Sequence, residues 1–267
     1  MKFRTFGNPQ SPHILLIHGG GNAWWNYKRQ AEALSNRYHV ILPTLDGHCE
    51  EFASEYRSTE DEADKLLAYI DQYCGGHLFA LCGVSLGGQI VMELLSRRAD
   101  LTEKAIIDGS LCYPKPGMAR FSMAMVKLFG CFLFGEKACR LQLKMMPKMV
   151  PEKMLYPEDI QQLYIHDMPL TPRKTMLTMY RTYMMTYTLR DSVKSTMAQV
   201  QYWYGEKEMN CVKQSAQRFK ALVPSCKLCE AKNCGHGYLA IYLPEEWLRL
   251  ALDFLSAEAD NVSSCAL

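Results

Sequence analysis

No run of about eighteen apolar residues occurs in this sequence, so no segment is expected to cross a membrane as a helix. The opening Met1-Lys2-Phe3-Arg4-Thr5-Phe6-Gly7-Asn8-Pro9 has no apolar core, which argues against a secretory leader. Excess charge of one sign is also lacking. The 267 residues sum to +2, which offers no basis for binding nucleic acid. The ending Ser264-Cys265-Ala266-Leu267 puts cysteine third from the end where prenylation needs it fourth, excluding that lipid anchor. No internal repeat or low-complexity stretch is visible. An even, regularly spaced cysteine set is missing too: the eleven cysteines are odd in number and scattered, from Cys49 to Cys265. With no leader, they read as reduced thiols in a cytoplasmic protein.

What is present is a chain long enough to bury a full core. The apolar patterning predicts strands near 13–17, 39–42, 77–82 and 103–108, with helices near 24–36, 59–74 and 87–98. Such alternation implies an α/β fold with a mostly parallel sheet covered by helices on both faces. From Tyr113 to Met197 the strands stop and methionines crowd in, among them Met118, Met123, Met125, Met145, Met146, Met149, Met154, Met168, Met176, Met179, Met184 and Met185. The alternation resumes with a strand near 200–204, a helix near 211–222, a strand near 225–230 and a helix near 244–257. Residues 1–112 and 198–267 therefore read as a core and 113–197 as a helical insertion. Before the Pro9–Pro12 turn there is room for at most one strand, and the tail from Glu258 to Leu267 is polar.

The segment Gly83-Val84-Ser85-Leu86-Gly87-Gly88 follows the apolar run His77 to Cys82 and precedes a helical pattern from Gln89 to Arg98. Strand, Gly-x-Ser-x-Gly turn and helix together form a nucleophile elbow. Side chains at 83 and 87 would collide with neighbouring backbone in so tight a turn, and the strain presents Ser85 at the strand's end. Three further features occur in order. His13-Ile14-Leu15-Leu16-Ile17-His18-Gly19-Gly20-Gly21 is a strand entering a glycine loop, and Val200 to Glu208 is an aromatic strand ending in acids. Asn233-Cys234-Gly235-His236-Gly237 presents one histidine before the last helix.

On these residues the chain resembles the α/β-hydrolase superfamily, over roughly 10–110 and 198–258, with the middle unmatched. The resemblance implies an α/β-hydrolase fold with an inserted all-helical cap. It implies Ser85 as nucleophile, His236 as base and an acid to orient it. Glu208 stands where relatives commonly carry aspartate; Glu206 is a neighbouring alternative, and Asp108, ending the strand Ala105-Ile106-Ile107-Asp108, holds the other position some members use. Oxyanion donors are expected from the N–H of Leu86 and from Gly20 or Gly21. Trp24 and Trp25 stand either as acyl-pocket walls or as core. His18 and His48 match structural positions of the family, while His13, His39, His77 and His166 lack motif context.

A serine at the elbow argues against dehalogenase and epoxide-hydrolase chemistry, which use aspartate there. Hydrolysis of a carboxylic ester or thioester with an apolar acyl group is expected, without cofactor or metal. Carbon–carbon bond hydrolysis, aminopeptidase action and ligand binding without turnover remain open on the same residues. Cys226-x-x-Cys229 with Cys234 and His236 mimics zinc spacing, but 226 and 229 point to opposite faces of the predicted strand. Between 115 and 153 Lys115, Arg120, Lys127, Lys137, Arg140, Lys144, Lys148 and Lys153 face only Glu136 and Glu152. Such a segment suits an acyl chain, an anionic substrate or peripheral contact with a membrane, or else is an ordinary core seam with a solvated face. Oligomeric state is not legible.

Overall fold

The structure, a computed structural model, describes residues 1–149 and 158–257, without the side chains of 131–133 and 146–149. The sequence readings at Cys131, Met146, Lys148, Met149, Glu152, Lys153, Met154, Cys265 and the tail from Glu258 fall outside what is described. Seven strands form one sheet among the described residues: β1 (Lys2–Phe6), β2 (His13–Ile17), β3 (His39–Thr44), β4 (Leu78–Val84), β5 (Thr102–Asp108), β6 (Gln199–Gly205) and β7 (Lys227–Ala231). Their order is β1-β3-β2-β4-β5-β6-β7; β1 runs antiparallel to β3 and the rest are parallel. The single leading strand matches the short N-terminal segment read from sequence.

Period-two alternation sorts the strand side chains into two cores. Leu15, Ile17, Ile41, Leu81, Ala105, Ile107 and Tyr202 pack on one face. Ile14, Leu16, Val40, Leu42, Ala80, Cys82, Ile106 and Trp203 pack on the other. Each large apolar side chain removed from water there contributes about 1.5–3 kcal/mol. Cys226 belongs to the first core and Cys229 to the second, so the two thiols lie on opposite faces as the strand pattern requires.

The covering helices are α1 (Lys28–Leu34), α2 (Thr59–Tyr73), α3 (Leu86–Arg97), α4 (Pro116–Leu133), α5 (Glu136–Met149), α6 (Glu158–Asp167), α7 (Arg173–Arg181), α8 (Asn210–Leu222), α9 (Tyr238–Tyr242) and α10 (Pro244–Ser256). The single helix expected over 24–36 divides into a tight turn at Trp24–Tyr27 followed by α1. The turn brings Asn26 Oδ1 to the N–H of Gly19, at 3.4 Å, and to Asn22 Nδ2, at 3.1 Å. Ser58 caps α2, accepting from the N–H of Asp61 at 3.2 Å. Lys104 donates to the carbonyls of Phe254, Leu255 and Ala257, placing a cation on the negative end of α10.

Helices α4 to α7 lie between β5 and β6, followed by one π-helical turn at Thr182–Thr186. The turn leads back towards the sheet along Tyr187 and Leu189, both buried. Several ties join this insertion to the body, among them the following. Asp159 pairs with Lys28 and Arg29, and Trp25 Nε1 donates to Asp167 Oδ2 at 2.9 Å. The N–H of Cys49 donates to Thr171 Oγ1 at 2.9 Å, and Gln89 Nε2 donates to the carbonyl of Tyr183 at 3.0 Å. No helix among the described residues is long and apolar enough to cross a membrane.

Candidate active site

The register aligns Val84 with Asp108 and Asp108 with Trp203, so β4, β5 and β6 end side by side at the carboxyl edge of the sheet. Ligand sites of open parallel sheets gather there. Ser85 follows β4 with φ +54 and ψ −112, a conformation costly for a residue with a side chain. The surroundings enforce it. The N–H of Ser85 donates to Asp108 O at 2.8 Å, and Ser110 Oγ donates to Ser85 O at 2.8 Å. A Cβ on Gly83 would lie 2.4 Å from the Gly87 backbone, and one on Gly87 would lie 2.1 Å from Ile17 O. Both positions therefore admit only glycine.

Ser85 Oγ is 2.9 Å from His236 Nε2, and His236 Nδ1 is 2.9 Å from Glu208 Oε2. With Glu208 ionised, Nδ1 carries the proton and donates to the carboxylate, leaving Nε2 to accept from the serine hydroxyl. Glu208 is buried, and its other oxygen accepts from the N–H of Met209 at 2.9 Å. The loop before α9 positions His236. Gly237 takes φ +69, and the N–H of Asn233 donates to Glu206 Oε2 at 2.8 Å. Glu206 thus holds the histidine loop rather than the histidine. Gly205 lets β6 pass under that loop, since a Cβ there would lie 2.2 Å from Cys234 O.

Asp108 makes no hydrogen bond to His236. It is buried, and its Oδ2 has no partner. Burial pushes its carboxyl up to about 7, the His236 charge opposing and Glu208 adding to the rise. Burial pulls the His236 imidazole down, but the Glu208 hydrogen bond and the charges of Glu208 and Asp108 outweigh it and leave the group raised. His18 bridges Gly19 O and the N–H of Leu45, and burial takes it down to about 3. His48, bonded to Asp46 O, is taken down to about 4 by burial. Both stay neutral and brace loops.

A cavity of about 220 Å³ opens on Ser85 and His236, walled by Leu86, Leu111, Met179, Tyr180, Tyr183 and Met184, with Met209 at its rim. Gly20 lines it, and Met179 Sδ fills the space a Cβ would need, 2.2 Å away. Gly21 turns aside at φ +80 beneath Met168 and Met176. Trp24 and Trp25 do not line this cavity: Trp25 is buried with Ala23, Cys49 and Ile160, and Trp24 stacks on Phe6 under Arg4. Sequence reasoning missed Tyr183, a buried residue in the cavity wall. It also missed Gln89, fully buried, which accepts from Thr59 Oγ1 at 2.7 Å and donates to Leu111 O at 2.8 Å and to Tyr183 O. An amide in the apolar first two turns of the helix after Ser85 was the available signal for Gln89; nothing local marked Tyr183.

The cysteine set 226, 229 and 234 is not gathered with His236. Among the described residues only Asp46, Asp61 and Glu62 bring three metal-ligating atoms together, and Lys65 already pairs with all three.

Residues 14–250 match the family described as the alpha/beta hydrolase family. The chain belongs to that family. Among relatives of this α/β hydrolase, the magnesium-chelatase 30 kDa subunit of Rhodobacter capsulatus is 32% identical over 89 residues. That match spans 33% of this chain and about a third (31%) of the relative's length. A carboxylesterase structure from the thaumarchaeon Nitrososphaera gargenis superposes with TM-score 0.76 at 14% identity, covering 96% of this chain and 93% of that one. An α/β hydrolase family protein from Desulfitobacterium hafniense gives TM-score 0.71 at 24% identity over 96% and 100% of the two chains. These likenesses establish the shared fold of the α/β hydrolase.

Proposed function

We propose that this α/β hydrolase is a serine hydrolase that cleaves a carboxylic ester or thioester bearing a short apolar acyl group. The observation that carries the reading is the unbroken relay from Ser85 Oγ through His236 to Glu208, 2.9 Å at each step. In the reaction Ser85 Oγ attacks the carbonyl carbon while its proton passes to His236 Nε2. Glu208 holds the tautomer and offsets the imidazolium charge. The N–H groups of Leu86, at the first turn of α3, and of Gly20 receive the oxyanion. His236 returns the proton to the leaving alcohol or thiol, and water releases the acyl group by the same relay.

The cavity of about 220 Å³ is smaller than the usual range for drug-sized ligands, and methionine and tyrosine dominate its walls. Both features suit a short apolar acyl chain, and polarisable methionines adapt to its shape. The helical insertion acts as the cap, since Met179, Tyr180, Tyr183 and Met184 all come from it. A fluorophosphonate probe read by intact mass tests the reading. A single adduct on the wild type that is absent from Ser85→Ala supports it, and no adduct on folded wild type refutes it.

A further inference from the structure

Helix α4 is apolar on both sides. Its inner face packs into the core through Ala119 and Val126, with Met118 and Met123 alongside. Its outer face carries Phe121 and Leu128, 67% and 69% exposed, and Phe129. Helix α5 continues the theme with exposed Leu141 and Met145. Among the described residues, the remaining large exposed apolar side chains, Phe52, Tyr73, Met197 and Met209, stand singly on other elements. Single exposed apolar residues are ordinary, whereas several large ones on the outer face of one helix mark an interaction surface.

Charge on these helices is arranged around the apolar side chains. Arg120 precedes Phe121, Lys127 precedes Leu128 and Phe129, Arg140 precedes Leu141, and Lys144 precedes Met145. Successive helical residues stand about 100° apart, so each cation flanks the apolar side chain it precedes. Over 115–145 six cations meet one acid, Glu136. That excess is greater than the +2 of the whole chain, so the rest of the molecule is net negative. Positive charge is thus concentrated around exposed apolar side chains.

We propose that α4 and α5 dock the protein on an anionic lipid surface. Phe121, Leu128, Phe129, Leu141 and Met145 enter the boundary between headgroups and acyl chains, and the neighbouring lysines and arginines bind lipid phosphates. An acidic protein or a second copy could meet the cations or the apolar residues, but the alternation of the two along both helices matches a surface that is anionic outside and apolar beneath. Docking here acts close to the cavity, because α4 packs against α7, which supplies Met179 and Tyr180. The proposal does not rest on the chemistry of Ser85, and its test reads binding without turnover.

The test is co-sedimentation of the full chain with vesicles of phosphatidylcholine alone or containing phosphatidylglycerol. The protein is expected to pellet with the anionic vesicles, to stay in solution with the neutral ones, and to be released at about 1 M salt, where screening shortens to about 3 Å. Each cation near such a surface raises partitioning by about fivefold, so Lys127→Glu with Lys144→Glu weakens binding by at least about tenfold. Phe121→Ser with Leu128→Ser does the same, and unchanged melting temperatures confirm that both variants fold. Equal pelleting with neutral vesicles, no pelleting, or variants that bind like the wild type each overturn the proposal. Self-association abolished by Leu128→Ser without vesicle binding would assign the face to a second copy instead.

Discussion

Gln89 Nε2 donates to the carbonyl of Tyr183 at 3.0 Å, so the helix that begins after Ser85 also holds a residue of the insertion that lines the cavity over it. Because Gln89 also pairs with Thr59 and Leu111, Gln89→Leu strips three buried polar groups of their partner. The expected loss is about 1–3 kcal/mol of stability, read by denaturant unfolding.

Tyr183→Phe removes only a hydroxyl from the cavity wall beside Ser85. Labelling of Ser85 by the fluorophosphonate should slow by up to about tenfold, the size of one ordinary hydrogen bond, while the melting temperature holds. Equal labelling rates would limit Tyr183 to packing.

Glu208 and Asp108 separate by substitution. Glu208→Gln deprives His236 of its charged partner and should lower turnover by about 10³–10⁴-fold. Asp108→Asn leaves the relay intact, so turnover stays within about tenfold of wild type. The reverse ranking would move the acid to Asp108.

The pH dependence has two parts. By the proposed relay, turnover requires His236 Nε2 unprotonated, and the imidazole lies above its ordinary 6.5, so activity should rise with pH through a midpoint above 6.5. Asp108→Asn removes a charge that raises His236, so its midpoint falls below that of the wild type. In stability, the folded state keeps the Asp108 proton between its ordinary 3.8 and about 7, where the unfolded chain has released it. Stability therefore declines as pH rises through that window, and Asp108→Asn should reduce the decline by a few kcal/mol at most, on the order set by burial. Glu62, also pushed up to about 7 by burial, retains part of the slope. Thermal melts of both proteins from acid to neutral pH give the comparison.

Met179 closes the cavity over Gly20. Met179→Ala should shift preference towards longer acyl groups, measured as the ratio of kcat/KM for octanoyl and acetyl p-nitrophenyl esters. An unchanged ratio would put the acyl group elsewhere. Gly87→Ala, by contrast, drives a Cβ into the Ile17 carbonyl and should cost about 3 kcal/mol or leave no folded protein.

Ser85 and His236 were legible because each stands in a short glycine-flanked pattern that backbone geometry imposes locally. Glu208 was legible by its distance from Gly205, although only the fold separates it from Glu206, two residues away and turned to Asn233. The strands were legible because both faces of the sheet are buried, which makes their apolar runs continuous. Trp24 and Trp25 stayed open in the sequence for a physical reason: adjacency to the glycine loop does not set which way a tight turn points its side chains. The cavity walls were illegible because Met179, Tyr183 and Met184 come from the insertion, and the pairing of its helices with the body rests on contacts such as Asp167 with Trp25, far apart in sequence.

Those same contacts bear on traffic. Lifting the entire insertion would break the ties at Asp159, Asp167, Thr171 and Tyr183 together. Independent ruptures of that kind multiply in improbability, so these contacts together hold the insertion down over the cavity. Met209, 41% exposed and rooted in the body beside Glu208, lines the same cavity without belonging to any of them.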